Sequence, residues 1–162
     1  MPAAELIQRL ALAPHPEGGW FREIHRSRRQ VSSEGARRSA LTDIYYLLER
    51  GQLSRWHVVD ADEAWHFYDG APLQLYLFDP GEARLQVRRL ATPGPDCEPA
   101  AVVPAGVWQA ARSLGDYSLV GCSVAPGFEF SGFRFVADLP DHAQHFAAGG
   151  AGSALAGLRE LL

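Results

Sequence analysis

Through most of this chain apolar residues come in short strand-like runs, roughly alternating with polar ones in GWFREIHRS, and the runs are closed by Gly, Pro or Asp. Period-two alternation marks a strand with one buried face. The runs are GWFREIHRS (19–27), ALTDIYYLLE (40–49), SRWHVV (54–59), AWHFY (64–68), LQLYLFD (73–79) and RLQVRRL (84–90), then AAVVPAGVWQAA (100–111), YSLVGCSV (117–124) and FRFVAD (133–138). They are rich in β-branched and aromatic residues. The segments YDGAP (68–72), DPGE (79–82) and APGFE (125–129) supply Gly and Pro where hairpins need them. Only the two ends break the pattern. Leu6, Ile7 and Leu10 share a face at helical spacing, which predicts a short helix over Ala3–Leu12, stopped by Pro14 and Pro16. GSALAGLRELL predicts a second helix with Ser153 as its N-cap. Many short strands and 16 glycines predict an all-β antiparallel sandwich or barrel with short terminal helices. Tyr46, Trp65, Tyr76 and Phe135 are expected mainly in its core.

No repeat, low-complexity tract or long linker divides the 162 residues, so one domain over 1–162 is expected. A formal charge of -4 argues against non-specific binding to nucleic acid or to an anionic membrane. Arg26, Arg28, Arg29, Arg37 and Arg38 cluster in a Ser- and Gly-containing segment. The plain expectation there is a solvated loop, the sharper one an anion-binding patch. Cys97 and Cys122 have no zinc spacing and are expected as free thiols in a reducing compartment. Glu5 and Arg9 interrupt the first apolar stretch, so no signal peptide is expected there, and a cytoplasmic location is expected.

Chemistry concentrates in RWHVVDADEAWHFYDG (55–70), which holds two histidines and four carboxylates. If DAD is a turn, His57 and Val59 share one strand face, while Glu63, Trp65 and Phe67 share one on the next. His66 then points the other way. His57 and Glu63 meet inside the barrel, and Gln109 joins them if its strand closes the same wall. Imidazole with carboxylate can bind zinc, iron or manganese, or can shuttle a proton beside a carbonyl group. It can also be a buried hydrogen bond that only satisfies two polar groups. His15, His25, His142 and His145 lack comparable partners in sequence and are expected to be surface or structural.

These residues resemble the cupin superfamily. Its first motif reads G-x5-H-x-H-x3,4-E-x6-G, and His57, Glu63 and Gly70 fall at that spacing. Its second reads G-x5-P-x-G-x2-H-x3-N, and Pro104 and Gly106 match it. HPEGGWFRE (15–23), DEAWHFYDGAPL (62–73), VVPAGVWQAA (102–111) and YSLVGCSVAPGF (117–128) look more specifically like the cupin 5 or DUF985 family, over residues 3 to 146. The resemblance implies a double-stranded β-helix (jelly roll), commonly a homodimer. The family is similar in fold to metal-independent epimerases of the dTDP-4-keto-6-deoxyhexose type. Two departures bear on metal: Val59 stands where the motif's second histidine would be, and Gln109 where its third would be. His57, Glu63 and Gln109 would be the ligands if there were any. One histidine, one carboxylate and one amide fall short of the usual catalytic sets, so no cofactor is expected.

In HPEGGWFRE, Gly18 and Gly19 allow a turn into the first strand; the plain role of Glu17 is in that turn, and the sharper reading puts Glu17 and Arg22 near the pocket mouth, where Arg22 could clamp a carboxylate or phosphate. Three readings of function stay open. The first is a metal-free isomerase or epimerase with His57 as general base, Glu63 orienting it, and Trp65, Phe67, Gln109, Arg22 and Tyr46 binding a small molecule. The second is a non-catalytic small-molecule-binding barrel. The third is a metal-dependent dioxygenase or isomerase. No nucleic-acid or membrane partner is expected in any of them.

Overall fold

The computed structural model describes residues 1–33, 35–147 and 153–162. A short helix, α1 (Ala3–Arg9), leads into β1 (Ala13–Pro14), β2 (Trp20–Arg26), β3 (Gln30–Ser33), β4 (Ala36–Ser39) and β5 (Thr42–Glu49). There follow β6 (Leu53–Val59), β7 (Asp62–Gly70), β8 (Leu73–Asp79), β9 (Arg84–Leu90), β10 (Ala100–Val103), β11 (Trp108–Ser113), β12 (Tyr117–Ala125) and β13 (Phe133–Phe135). A one-turn helix, α2 (His142–His145), and a 3-10 helix over Ser153–Leu161 complete the fold.

Eleven of the strands form two facing antiparallel sheets, and β3 and β4 pair separately with each other. One has the order β1-β2-β5-β12-β7-β10, the other β13-β6-β11-β8-β9. Neighbours in the sheets are often far apart in sequence, as in the pairing of β5 with β12, so the chain winds between the two sheets as in a double-stranded β-helix. The expected all-β jelly roll is present. AAVVPAGVWQAA proves to be two strands, one in each sheet, joined across Pro104 and Gly106. Gly106 has a φ of 80°, and its N–H donates to the Val59 carbonyl at 2.9 Å.

Tyr46, Leu48, Trp65, Leu73, Leu75, Leu77, Leu90 and Val120 fill the space between the sheets. Outside the five-stranded sheet, Phe146, Leu155 and Leu161 cover Trp56, Tyr76, Phe78 and Trp108. Outside the six-stranded sheet, Leu6 of α1 and Leu12 cover Leu47 and Leu119. Among the described residues no helix is long and apolar enough to cross a membrane.

Three local expectations need correction. The first helix ends at Arg9 rather than Leu12. The C-terminal helix is of the tighter 3-10 kind and kinks at Leu158; the side chain of Ser153, expected as its cap, lies outside the described residues. The arginine-rich segment is not a plain loop but the hairpin β3–β4. Its Arg38 is buried and donates to the Gly127 carbonyl at 2.7 Å and to Asp60 Oδ1 at 2.9 Å, so it ties the hairpin to the barrel and is spent as an anion binder.

Candidate active site

The space between the sheets is filled by apolar side chains at one end and opens into a cavity at the other. His57 and Val59 of β6, Glu63 of β7, Tyr46, Ile44 and Thr42 of β5, and Cys122 and Val124 of β12 supply its walls. His15 and Glu17 come from the turn before β2, and Phe21, Glu23 and Arg26 from β2 itself. Phe128, Glu129, Phe130 and Phe133 border the mouth. The cavity volume is about 100 Å³, against the ~10–15 Å³ that one water occupies on the same measure. It admits a small molecule, not merely a trapped water.

Glu17 sits at the centre of the polar cluster. Its Oε2 lies 3.3 Å from His57 Nε2 and 3.7 Å from His15 Nδ1, and its Oε1 accepts from the Ser54 hydroxyl at 2.9 Å. The sequence places Glu17 there through its glycines. Gly18 (φ 116°) and Gly19 (φ 71°) occupy left-handed conformations. A Cβ on Gly18 would collide with the Leu53 carbonyl oxygen. Only glycine lets the turn lie against β6, where the Arg55 N–H donates to the Glu17 carbonyl at 3.1 Å. The Tyr46 hydroxyl donates to the Gly18 carbonyl at 2.7 Å and holds the turn from the other side.

His57 is 2% exposed. Its Nδ1 faces the Arg55 carbonyl at 2.7 Å. A carbonyl only accepts, so Nδ1 carries a proton, and Nε2 is the basic nitrogen turned towards Glu17. Burial pushes the His57 imidazole below its ordinary pKa, opposed by the charge of Glu63 and by the bond to Arg55. Burial likewise lowers His15. It raises Glu17, against the pull of His15 and the Ser54 hydrogen bond. Acid and base are thus driven towards each other, and a contact of 3.3 Å between Nε2 and Oε2 accommodates one shared proton.

Glu63 lines the same cavity and is also raised by burial, offset by His57. Its Oε2 accepts from the Gln109 amide at 2.6 Å, and the Gln109 oxygen accepts from Trp65 Nε1 at 2.9 Å. The indole N–H fixes which end of the amide faces Glu63. Burial, with Glu63 beside it, pushes the Cys122 thiol well up, so it stays protonated.

The structure therefore brings His57, Glu63 and Tyr46 to the cavity and leaves four expected residues out of its lining. Trp65, Phe67 and Gln109 lie deeper, where Trp65 and Phe67 pack with the leucines and both ends of the Gln109 amide are engaged. Arg22 is on the outer face of β2, its guanidinium 5.5 Å from the centre of the Tyr45 ring. Its neighbours Phe21 and Glu23 are the inward ones, as strand alternation requires. His66 is absent from the lining for the same reason. His15 and Glu17 are the residues that strand patterning missed. They precede β2, in a turn with no periodicity to read, and the signal for them was HPEGG itself: two ionisable side chains beside two glycines.

Residues 4–136 match the family described as Cupin_5: Cupin superfamily (DUF985). The chain belongs to this family. A hypothetical protein from Leishmania major is 33% identical to this cupin, with a TM-score of 0.77 over 83% of this chain and 86% of that one. A protein from Shewanella oneidensis is 34% identical, with a TM-score of 0.77 over 83% of this chain and 84% of that one. Oxalate decarboxylase from Bacillus subtilis, 13% identical, has a TM-score of 0.58 over 90% of this cupin and 36% of its own chain, a likeness of fold alone. No curated protein matches the sequence.

Many cupins hold a divalent metal in the barrel, and the donor set here does not fit one. Gln109 has spent its oxygen on Trp65 and stands behind Glu63. His15 Nδ1 accepts the Glu17 N–H at 3.2 Å. Among the described residues no three His, Cys, Asp or Glu side chains are grouped as metal ligands.

Proposed function

We propose that this cupin binds a small polar molecule with a carbonyl group in the open end of its barrel and moves a proton on the carbon beside that group, as a metal-independent isomerase or epimerase. The observation that carries the reading is the contact between His57 Nε2 and Glu17 Oε2 on the cavity wall. Burial brings the affinities of the two groups for a proton together. A pair that holds one proton can take another from carbon or give one to oxygen at neutral pH. Glu63, raised by burial and aimed by Gln109, is the second acid–base group in the same lining. An isomerisation needs two such steps. The aromatic rings at the mouth, Phe21, Phe128 and Phe133, offer faces for a sugar-like ring and keep bulk water away from the pair.

The test is deuterium exchange. Aldoses, ketoses and other carbonyl compounds are incubated with the full chain in D2O and followed by NMR. Exchange at the carbon beside the carbonyl is expected, falling by about 10²–10⁴-fold in His57→Ala. A variant that keeps the wild-type rate removes His57 from the mechanism. Saturable binding with no exchange in the wild type leaves a carrier or sensor. Elemental analysis of untagged protein, purified without chelator or added metal, is expected to find much less than one metal per chain. A stoichiometric metal would end the metal-free reading.

A further inference from the structure

The mouth of the cavity contains charged groups that the proposed proton transfer does not use. Arg26 supplies the lining's one Lys or Arg side chain among the described residues. Its Nη1 donates to Glu129 Oε1 at 2.9 Å. Its Nη2 donates to Glu23 Oε2 at 2.9 Å and to the Phe128 carbonyl at 3.1 Å, and its Nε donates to Glu23 Oε1 at 3.1 Å. Every guanidinium nitrogen is engaged, and two carboxylates face one cation, so the mouth has an excess of negative charge. Deeper in, nothing redresses it. Burial pushes His15 and His57 towards their neutral forms, so neither supplies a cation, and it pushes Glu17 and Glu63 towards theirs as well. Around the clasp stand Phe128, Phe130 and Phe133, edge to face, with ring centres 5.1–6.4 Å apart. A phosphate or carboxylate entering here meets no free cation and two carboxylates of its own sign. An uncharged ring meets apolar faces.

We propose that Arg26, Glu23 and Glu129 form a charge filter at the mouth, and that the molecule taken into the barrel is uncharged rather than one whose phosphate or carboxylate must enter with it. The proposal rests on the reading of the cavity as a ligand site and narrows the ligand's class. It makes Glu23 and Glu129 specificity residues: they occupy Arg26 and so deny it to an anion.

The filter is testable without turnover. Inorganic phosphate is titrated into the full chain, and the amides of Arg26 and the cavity walls are followed by NMR. The wild type is expected to show no saturable shift. The double variant Glu23→Gln, Glu129→Gln removes both negative charges from beside Arg26 and is expected to bind phosphate roughly tenfold tighter or more. Adding Arg26→Gln to that background abolishes the gain. The substituted side chains are between 37% and 46% exposed, so the fold is not at stake, and a thermal melt checks this. Saturable binding to the wild type through these amides overturns the proposal. So does a double variant that gains nothing, or a triple variant that keeps the gain. None of these outcomes touches the exchange test on His57, and failure of that test leaves the filter standing.

Discussion

The two ends of this barrel are built from the same strands and have opposite characters. β5 sends Leu48 into the closed end and Thr42 into the open one. On β12, Val120 packs with the leucines and Val124 lines the cavity. On β7, Phe67 is half-buried against the core cluster and Glu63 is in the cavity wall. The closed end is a cluster of the buried Leu48, Leu73, Leu75, Leu77 and Leu90. The open end collects His15, Glu17, His57 and Glu63 around empty volume. Inward orientation alone therefore does not mean core. Position along the strand decides whether an inward residue packs in the core or holds a polar group at a site, and at the site Glu17, His57 and Glu63 each have a partner.

The contrast has consequences for stability that can be measured, beginning with the largest. Leu75 is fully buried in the closed end, and Leu75→Ala is expected to cost about 2–5 kcal/mol in urea unfolding without touching any proton-transfer group. A loss well below that range would mean that the closed end is not close-packed. Gln109 lies on the boundary between the ends. Gln109→Ala strands both the Trp65 N–H and Glu63 Oε2, at an expected cost of about 1–3 kcal/mol. It should also change the pH profile of exchange, since Glu63 loses its aim. The conservative Gln109→Asn tests whether reach or chemistry matters.

pH separates the members of the buried pair. His57 is lowered from 6.5, so the unfolded chain takes up its proton first, and the stability it contributes is lost as pH falls below 6.5 through the native value. Glu17 is raised from 4.5, so the native state keeps its proton longer, and stability is lost as pH rises above 4.5 through the native value. The two effects oppose each other. Relative to wild type, His57→Gln is expected to gain stability as pH falls below 6.5, and Glu17→Gln as pH rises above 4.5. Denaturant titrations across this window in which both variants track the wild type would show the two groups to be solvated. The smallest effect belongs to the open end's rim. The ion pairs of Arg26 are solvent-exposed, and Arg26→Gln is expected to shift stability by no more than about 0–1 kcal/mol.

The alternating runs made the strands legible, and the spacing of His57, Glu63 and Gly70 with Pro104 and Gly106 made the barrel legible as a cupin. Period two placed His57 and Glu63 inward and His66 outward. It did not distinguish depth, and for that reason Trp65, Phe67 and Gln109 were expected to face the cavity and lie outside its lining. Nor could the pattern see that β3 pairs with β4 and that Arg38 ties the pair down. That tie depends on the Gly127 carbonyl and on Asp60, both remote in sequence.

What the sequence determined by itself was local: which residues extend, where the chain turns, and which side chains face inward. Those properties follow from steric preference and alternation within a few residues. Which carboxylate meets His57 was decided only by tertiary structure. Glu17 is forty residues before it, in a segment without period, and reaches it because two left-handed glycines let one turn press against the backbone of β6. Glu63, its near neighbour in sequence, is drawn instead to an amide contributed by the other sheet. The proton affinities follow from the same assembly, since no side chain is desolvated until both sheets and the turn have closed around it.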